Sequence, residues 1–210
     1  MTIILAVGAS PKQLGIEGEK EFRGKGVSYC AICDGRLFKD KDIVVVGGGN
    51  SAVSEALYLT RFARKVVLVH RRNRLRAVSI LAQRAKENKK IDFAWNSVVT
   101  QIYGKDRVEG VGLTNVANQT QSRVACSGVF VSVGLIPNTD FLGSSLVKLD
   151  DYGYIITDQS MQTSSPGIFA CGDCRVKPLR QVVTACGDGA VAGFSATEYV
   201  DRIKGRAYDR

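Results

Sequence analysis

Cys30-Ala31-Ile32-Cys33-Asp34-Gly35 places two thiols three positions apart with an acid directly after the second. Thiols at this spacing can close a tight disulfide, and a helix N-terminus or nearby cation would lower one thiol pKa. The adjacent Asp34 is a candidate proton donor or acceptor for a thiolate. Cys171 and Cys174 have the same spacing, so a four-thiolate zinc site is the alternative reading. Its two halves would lie more than a hundred positions apart. The chain has six cysteines, and in a cytosolic protein close pairs read as redox or metal groups rather than as a structural framework.

A second constellation is Gly47-x-Gly49-x-x-Ala52, with Asn50 and Ser51 inside it. This pattern supplies a tight strand-to-helix turn, close backbone approach to a pyrophosphate, and a helix N-terminus aimed at it. The context suits it. The β-branched run Ile43 to Val46 precedes it, a helical pattern with Val53, Ala56, Leu57 and Ala63 on one face follows, and Val66 to Val69 reads as the next strand. After that strand an NAD site wants an acid for the ribose 2′-hydroxyl, whereas this chain offers His70-Arg71-Arg72-Asn73-Arg74-Leu75-Arg76. Guanidinium groups reward a 2′-phosphate through charge-assisted, often bidentate bonds, which points to NADPH. A surface basic loop beside an unrelated glycine turn is the bland alternative.

The third motif is Gly167-Ile168-Phe169-Ala170-Cys171-Gly172-Asp173, a strand ending in Gly-Asp. An Asp so placed can accept hydrogen bonds from the hydroxyls of a cofactor ribityl chain. Arg180-Gln181-Val182 then opens a long helix, to about Ile203, rich in small residues such as Ala185, Gly187, Gly189 and Gly193. Small residues let a helix pack close to a sheet or a flat ring, and its N-terminus offers positive potential.

The elements that must position these groups alternate between strands and helices. Ala77 to Asn88 reads as a second amphipathic helix, and residues 91–133 as strands with turns at 103–106 and 115–119. Gly134-Leu135-Ile136-Pro137-Asn138 breaks the pattern as a domain crossover would. Asp150 to Thr157 looks like a hairpin, and Ile3 to Gly8 like an interior strand with nothing before it to pair with. No apolar run approaches the roughly 20 residues that span a bilayer, and no basic n-region marks a signal peptide, so a cytoplasmic location is expected. The net charge is +9, and residues 61–90 hold eleven Lys or Arg against one acid, Glu87. That stretch should attract an anion. Only Phe62 interleaves it, which argues against nucleic acid.

Taken together, these motifs resemble the bacterial low-molecular-weight thioredoxin reductases of the pyridine nucleotide-disulfide oxidoreductases, in order and spacing, across essentially the whole chain. The matching segments are Gly26 to Gly35, Gly47 to Ala52, His70-Arg71-Arg72 with Arg76, Gly134 to Thr139, and Gly172-Asp173 with Arg180-Gln181. The resemblance implies an α/β protein of two interleaved Rossmann-like FAD/NAD(P)-binding domains. Residues 1–10 and 135–210 would be a partial FAD domain, and 11–134 the NADPH domain carrying the dithiol. It implies a homodimer passing electrons from NADPH through FAD and Cys30/Cys33 to thioredoxin. Cys33 would be the flavin-proximal thiol, Asp34 the acid/base and Cys30 the attacking thiol. Gly47, Gly49, Asn50, Ser51, Ala52, His70, Arg71, Arg72, Arg76 and Gly134 would serve the nucleotide, and Gly172, Asp173, Arg180, Gln181 and Val182 the flavin. The family's own glycine-rich FAD segment lies about a hundred residues before the dithiol, and only 29 residues stand there. The FAD domain is therefore expected to be incomplete. The extra Cys171, Cys174 and Cys186 read as small core residues. A reductase serving a peroxiredoxin or another dithiol partner, a ferredoxin-dependent relative, and a non-catalytic NADPH-binding module are the rivals.

Overall fold

The computed structural model describes residues 1–143 and 146–206. They form two compact units, one of residues 11–134 and one of residues 1–10 with the segment from Leu135 onward. Along the chain, β1 (Ile3–Leu5) and β2 (Ala9–Pro11) are followed by β3 (Val27–Ser28), the one-turn helix α1 (Ala31–Asp34), β4 (Asp42–Val46) and α2 (Asn50–Leu59). Next come β5 (Lys65–Val69), α3 (Ser79–Glu87), β6 (Ile91–Ala94), β7 (Ser97–Gly104), β8 (Val108–Asn115), β9 (Gln121–Ala125) and β10 (Gly128–Val131). The chain then forms β11 (Leu135–Pro137), β12 (Ile168–Ala170) and α4 (Val182–Ile203).

The larger unit is built on a parallel sheet of order β3-β10-β4-β5-β6. Its central strand β4 is apolar from Ile43 to Val46 because both faces are covered there. Alternation along the strand divides its side chains. Ile43 and Val45 join Leu68 and Phe130 against Ala52, Val53, Ala56 and Leu59 of α2. Val44 and Val46 face the other way, clustering with Val99, Ile102, Val111 and Leu113 of the antiparallel β7-β8-β9 sheet. Each such fully buried side chain contributes about 1.5–3 kcal/mol. The register Val46↔Val69 aligns the ends of β4 and β5, which puts the glycine-rich turn beside His70.

Helix α3 is shorter than the Ala77–Asn88 pattern predicts. Ala77 N–H is bonded to the Gly48 carbonyl at 3.1 Å, and Val78 is extended, so the helix starts only at Ser79. Residues 97–125 are strands joined at the predicted turns.

In the smaller unit β1 pairs in parallel with β12, register Ile4↔Phe169. Ile3 and Ile4 are exposed, where the sequence predicts an interior strand. The predicted hairpin at 150–157 reduces to one bridge, Leu149↔Ile155, around a turn in which Asp150 Oδ1 accepts from Tyr152 and Tyr154 N–H. Helix α4 buries Ala192 and Ala196 against Phe169 and Cys171. A Cβ added at Gly187, Gly189 or Gly193 would meet no atom within 4 Å, so these small residues are not wedged against a sheet. Cys171 and Cys174 are core residues as expected, but Cys186 is exposed because it lies on the outward face of α4. Among the described residues no helix is long and apolar enough to cross a membrane.

Candidate functional site

Cys30 and Cys33 are joined in a disulfide with Cα atoms 5.3 Å apart. Cys30 is the extended N-cap of α1, and the turn that follows brings Cys33 N–H to 3.1 Å from Cys30 Sγ. An N-cap and the third helical residue share one face, which is why two intervening residues suffice. Cys33 is exposed and Cys30 half-buried. With both sulfurs paired, no thiolates are left there for zinc. Among the described residues no three His, Cys, Asp or Glu side chains converge to hold a metal.

Two residues that sequence reasoning passed over hold this turn. Ser28, buried at the end of β3, donates to Asp34 Oδ2 at 2.7 Å and accepts from Cys30 N–H at 3.1 Å. Glu19 is only 1% exposed and accepts three hydrogen bonds: Leu14 N–H at 2.9 Å, Gly15 N–H at 2.8 Å and the Tyr29 hydroxyl at 2.8 Å. Burial, together with the hydrogen bond and charge of Glu19, pushes the Tyr29 hydroxyl up to about 12. Their sequence signal is faint, a Ser two places before the first Cys and an acid in a polar loop.

In the same unit a cleft of about 330 Å³ opens beside the glycine-rich turn, lined among others by Gly47, Gly48, His70, Arg71, Arg76 and Lys12. Gly47 has φ 151°, and a Cβ there would stand 2.4 Å from the Ser132 carbonyl. Gly49 is the extended N-cap of α2, Ser51 is exposed in its first turn and Ala52 is buried under Gly47. Asn50 Oδ1 accepts from Val78 N–H at 2.9 Å. His70 is buried, and its Nε2 has no hydrogen-bond partner. Burial, with Arg76 and Arg72 close by, holds the imidazole below its ordinary range and hence neutral at pH 7. Arg71 and Arg76 line the cleft, whereas Arg72 does not. Among the described residues none of the three forms a salt bridge. Gly134 has φ 119° and accepts Lys12 N–H at 3.0 Å where the chain leaves this unit.

In the smaller unit the turn Gly172–Cys174 carries Asp173, whose Oδ1 is buried without a partner. Asp188 fixes that turn from α4. Its Oδ2 accepts from Gly172 N–H at 3.1 Å, Arg175 Nε at 2.9 Å and Lys177 Nζ at 2.6 Å. Burial alone would raise this carboxyl, but the hydrogen bonds from Arg175 and Lys177 outweigh it and hold it low. Arg180 stacks 4.1 Å over Tyr154 and donates to the Asp173 carbonyl, while Gln181 forms a reciprocal cap with Thr184. Val182 is 80% exposed.

A glycine-turn cleft rimmed by arginines and a disulfide, both within one βαβ-containing unit, is a combination that comparison with known proteins can test. The family model "Pyridine nucleotide-disulphide oxidoreductase" matches residues 1–189. The chain belongs to that family. It is 52% identical over 204 residues to a thioredoxin reductase of Listeria monocytogenes, covering 96% of this chain and 63% of that protein. A Bacillus subtilis thioredoxin reductase is 48% identical over 203 residues, covering 96% and 64%. Among solved structures, the thioredoxin reductase of Streptococcus pyogenes superposes with a TM-score of 0.89 at 51% identity, over 96% of this chain and 66% of that one. This pyridine nucleotide-disulphide oxidoreductase thus spans somewhat less than two thirds of the length of these relatives.

Proposed function

We propose that this chain is the nucleotide- and dithiol-bearing part of an NADPH-dependent flavoprotein that reduces the disulfide of thioredoxin. The observation that carries the reading is the Cys30–Cys33 disulfide with Asp34 held against Ser28, in the unit that also holds the arginine-rimmed cleft. Residues 11–134 would be the NADPH domain, and 1–10 with 135–210 part of the FAD domain.

The residues present fit both cofactors. Glycines at 47 and 48, the unpartnered Nε2 of His70, and Arg71 and Arg76 suit a phosphorylated nucleotide, and Arg72 adds charge from the same loop. Asn50, Ser51 and the N-terminus of α2 suit its pyrophosphate. The unpartnered Asp173 Oδ1, on a turn set by Asp188 and Arg180, suits a flavin ribityl hydroxyl. When bound, NADPH supplies hydride and FAD relays its two electrons. The protein's part is to open the Cys30–Cys33 bond to a dithiol. Cys30 thiolate then attacks the partner disulfide, Cys33 resolves the mixed disulfide, and Asp34 takes and returns the proton. The exposed Cys33 sulfur is the one assigned to the flavin side.

The apolar residues Val182, Val183 and Phe194, exposed on α4, support a homodimer. Four free cysteines support a reducing cytoplasmic setting. Two measurements test the reading. Calorimetric titration should show NADPH binding well above NADH. The dithiothreitol-reduced, desalted chain should transfer two electrons to oxidised thioredoxin, with the Cys30–Cys33 disulfide reappearing by mass mapping. Equal affinity for the two nucleotides, or thioredoxin left oxidised, would refute it.

A further inference from the structure

Ser28 ends β3 in register with Phe130 of the buried strand β10, so its backbone is part of the parallel sheet. The residue is 5% exposed. A serine hydroxyl has one hydrogen to donate. Two acceptors are in reach, Asp34 Oδ2 at 2.7 Å and the Cys30 carbonyl at 3.4 Å, and the shorter geometry takes it. The hydroxyl oxygen in turn accepts the Cys30 N–H at 3.1 Å. One group thereby ties the backbone of the first cysteine to the carboxylate that follows the second.

We infer that Ser28 is a positioning residue for the dithiol chemistry, fixing the Asp34 carboxylate in one orientation relative to the Cys30–Cys33 turn. The inference rests on the proposed acid/base role of Asp34. In the exchange, the Cys30 thiol gives its proton to Asp34 and the resulting thiolate attacks the partner S–S bond. The partner's leaving sulfur takes up that proton from Asp34. Cys33 then gives its own proton to Asp34 and attacks Cys30 in the mixed disulfide, reforming the Cys30–Cys33 bond, and the second partner sulfur leaves and takes up that second proton. Dithiol and disulfide change places with no other reactant. A carboxylate free to rotate would serve these transfers from many geometries, most of them unproductive. Anchoring it to the sheet through Ser28 removes that freedom.

The test uses the 210-residue chain reduced with dithiothreitol and desalted. Iodoacetamide alkylation of Cys30 and Cys33 is followed by peptide mass from about pH 5 to pH 10, a span that covers the thiol range. Asp34→Asn removes the proton acceptor and should lower the Cys30 alkylation rate across the profile. Ser28→Ala, which frees the carboxylate to rotate, should move the profile toward that of Asp34→Asn. Ser28→Thr keeps a hydroxyl and should restore the original profile, which a role in folding alone would not predict. If Asp34→Asn changes the profile but Ser28→Ala leaves it superimposed on the unmutated one, the positioning role is wrong and the reading of Asp34 stands. If Asp34→Asn changes nothing, both fall. Should Ser28→Ala not fold, NMR of the unmutated chain decides. A Ser28 hydroxyl proton protected from exchange, and lost in Asp34→Ala, is the expected result, and an unprotected one overturns the inference.

Discussion

A side chain at position 48 would run into His70: a Cβ built on Gly48 stands 2.3 Å from the imidazole Nδ1. The Gly48 carbonyl also accepts Arg76 N–H at 2.7 Å, so the turn after β4 and the arginine loop after β5 are one assembly. At Gly49, by contrast, the nearest atom to an added Cβ is an Arg76 guanidinium nitrogen at 3.8 Å, and φ is an ordinary −89°. Gly48→Ala should therefore destabilise the unit by about 1–3 kcal/mol through overpacking. Gly49→Ala should leave thermal stability within about 1 kcal/mol yet weaken nucleotide binding, because the new methyl blocks close approach of a pyrophosphate. Melting curves with parallel NADPH titrations separate the two, and equal melting losses would contradict the packing argument.

The arginines should not contribute equally. Arg71 and Arg76 line the cleft and Arg72 does not. Each charge-assisted bond to a 2′-phosphate contributes about 1.5–3 kcal/mol. Arg71→Ala with Arg76→Ala should lower NADPH affinity roughly a hundredfold or more while leaving NADH nearly unchanged. Arg72→Ala alone should cost much less, and calorimetry of each variant with both nucleotides provides the comparison.

His70 gives the larger unit a pH dependence of known sign. Burial depresses its folded-state pKa below the unfolded value, so the unfolded chain binds the extra proton more readily. Its contribution is nil above the unfolded pKa, near 6.5, and becomes destabilising as pH falls below it. Urea unfolding at about pH 7.5 and about pH 5.5 should show a loss on acidification that is smaller in His70→Asn. An equal loss in both proteins would assign the effect to other groups.

Glu19 should matter for stability more than any surface acid. Its carboxylate satisfies two backbone N–H groups and the Tyr29 hydroxyl, all at 2.8–2.9 Å. Glu19→Gln turns one acceptor into a donor facing a donor, which should cost about 2–4 kcal/mol in urea unfolding. Because Leu14 lines the cleft while Tyr29 precedes Cys30, both the cleft wall and the dithiol strand should loosen together in hydrogen exchange.

Thiol reactivity should divide by burial. Burial pushes the Cys126 thiol up to about 12, so it should resist alkylation until the protein unfolds. Cys186 is exposed on α4 and should react in the native state. Mass mapping after brief iodoacetamide treatment checks both.

What the sequence alone determined is what neighbouring residues decide. The Cys30/Cys33 spacing suffices for a disulfide because an N-cap and the third residue of a turn share a face. The Ile43–Val46 and Val66–Val69 runs read as buried parallel strands because alternating side chains must be covered on both faces, and the glycines between them mark the turn. Where those groups point was decided by tertiary structure. Ser28 meets Asp34 only because β3 pairs with β10, a strand a hundred residues later in the chain. Glu19 reads as one more polar loop residue until Leu14, Gly15 and Tyr29 close around it. Arg71 rather than Arg72 faces the cleft because the arginine loop is hung on the Gly48 carbonyl. Cys186, equally apolar in sequence to Cys174, is left outside because α4 buries only the stripe through Ala192 and Ala196. Side-chain direction and burial depend on partners far away in the chain, and no local pattern encodes them.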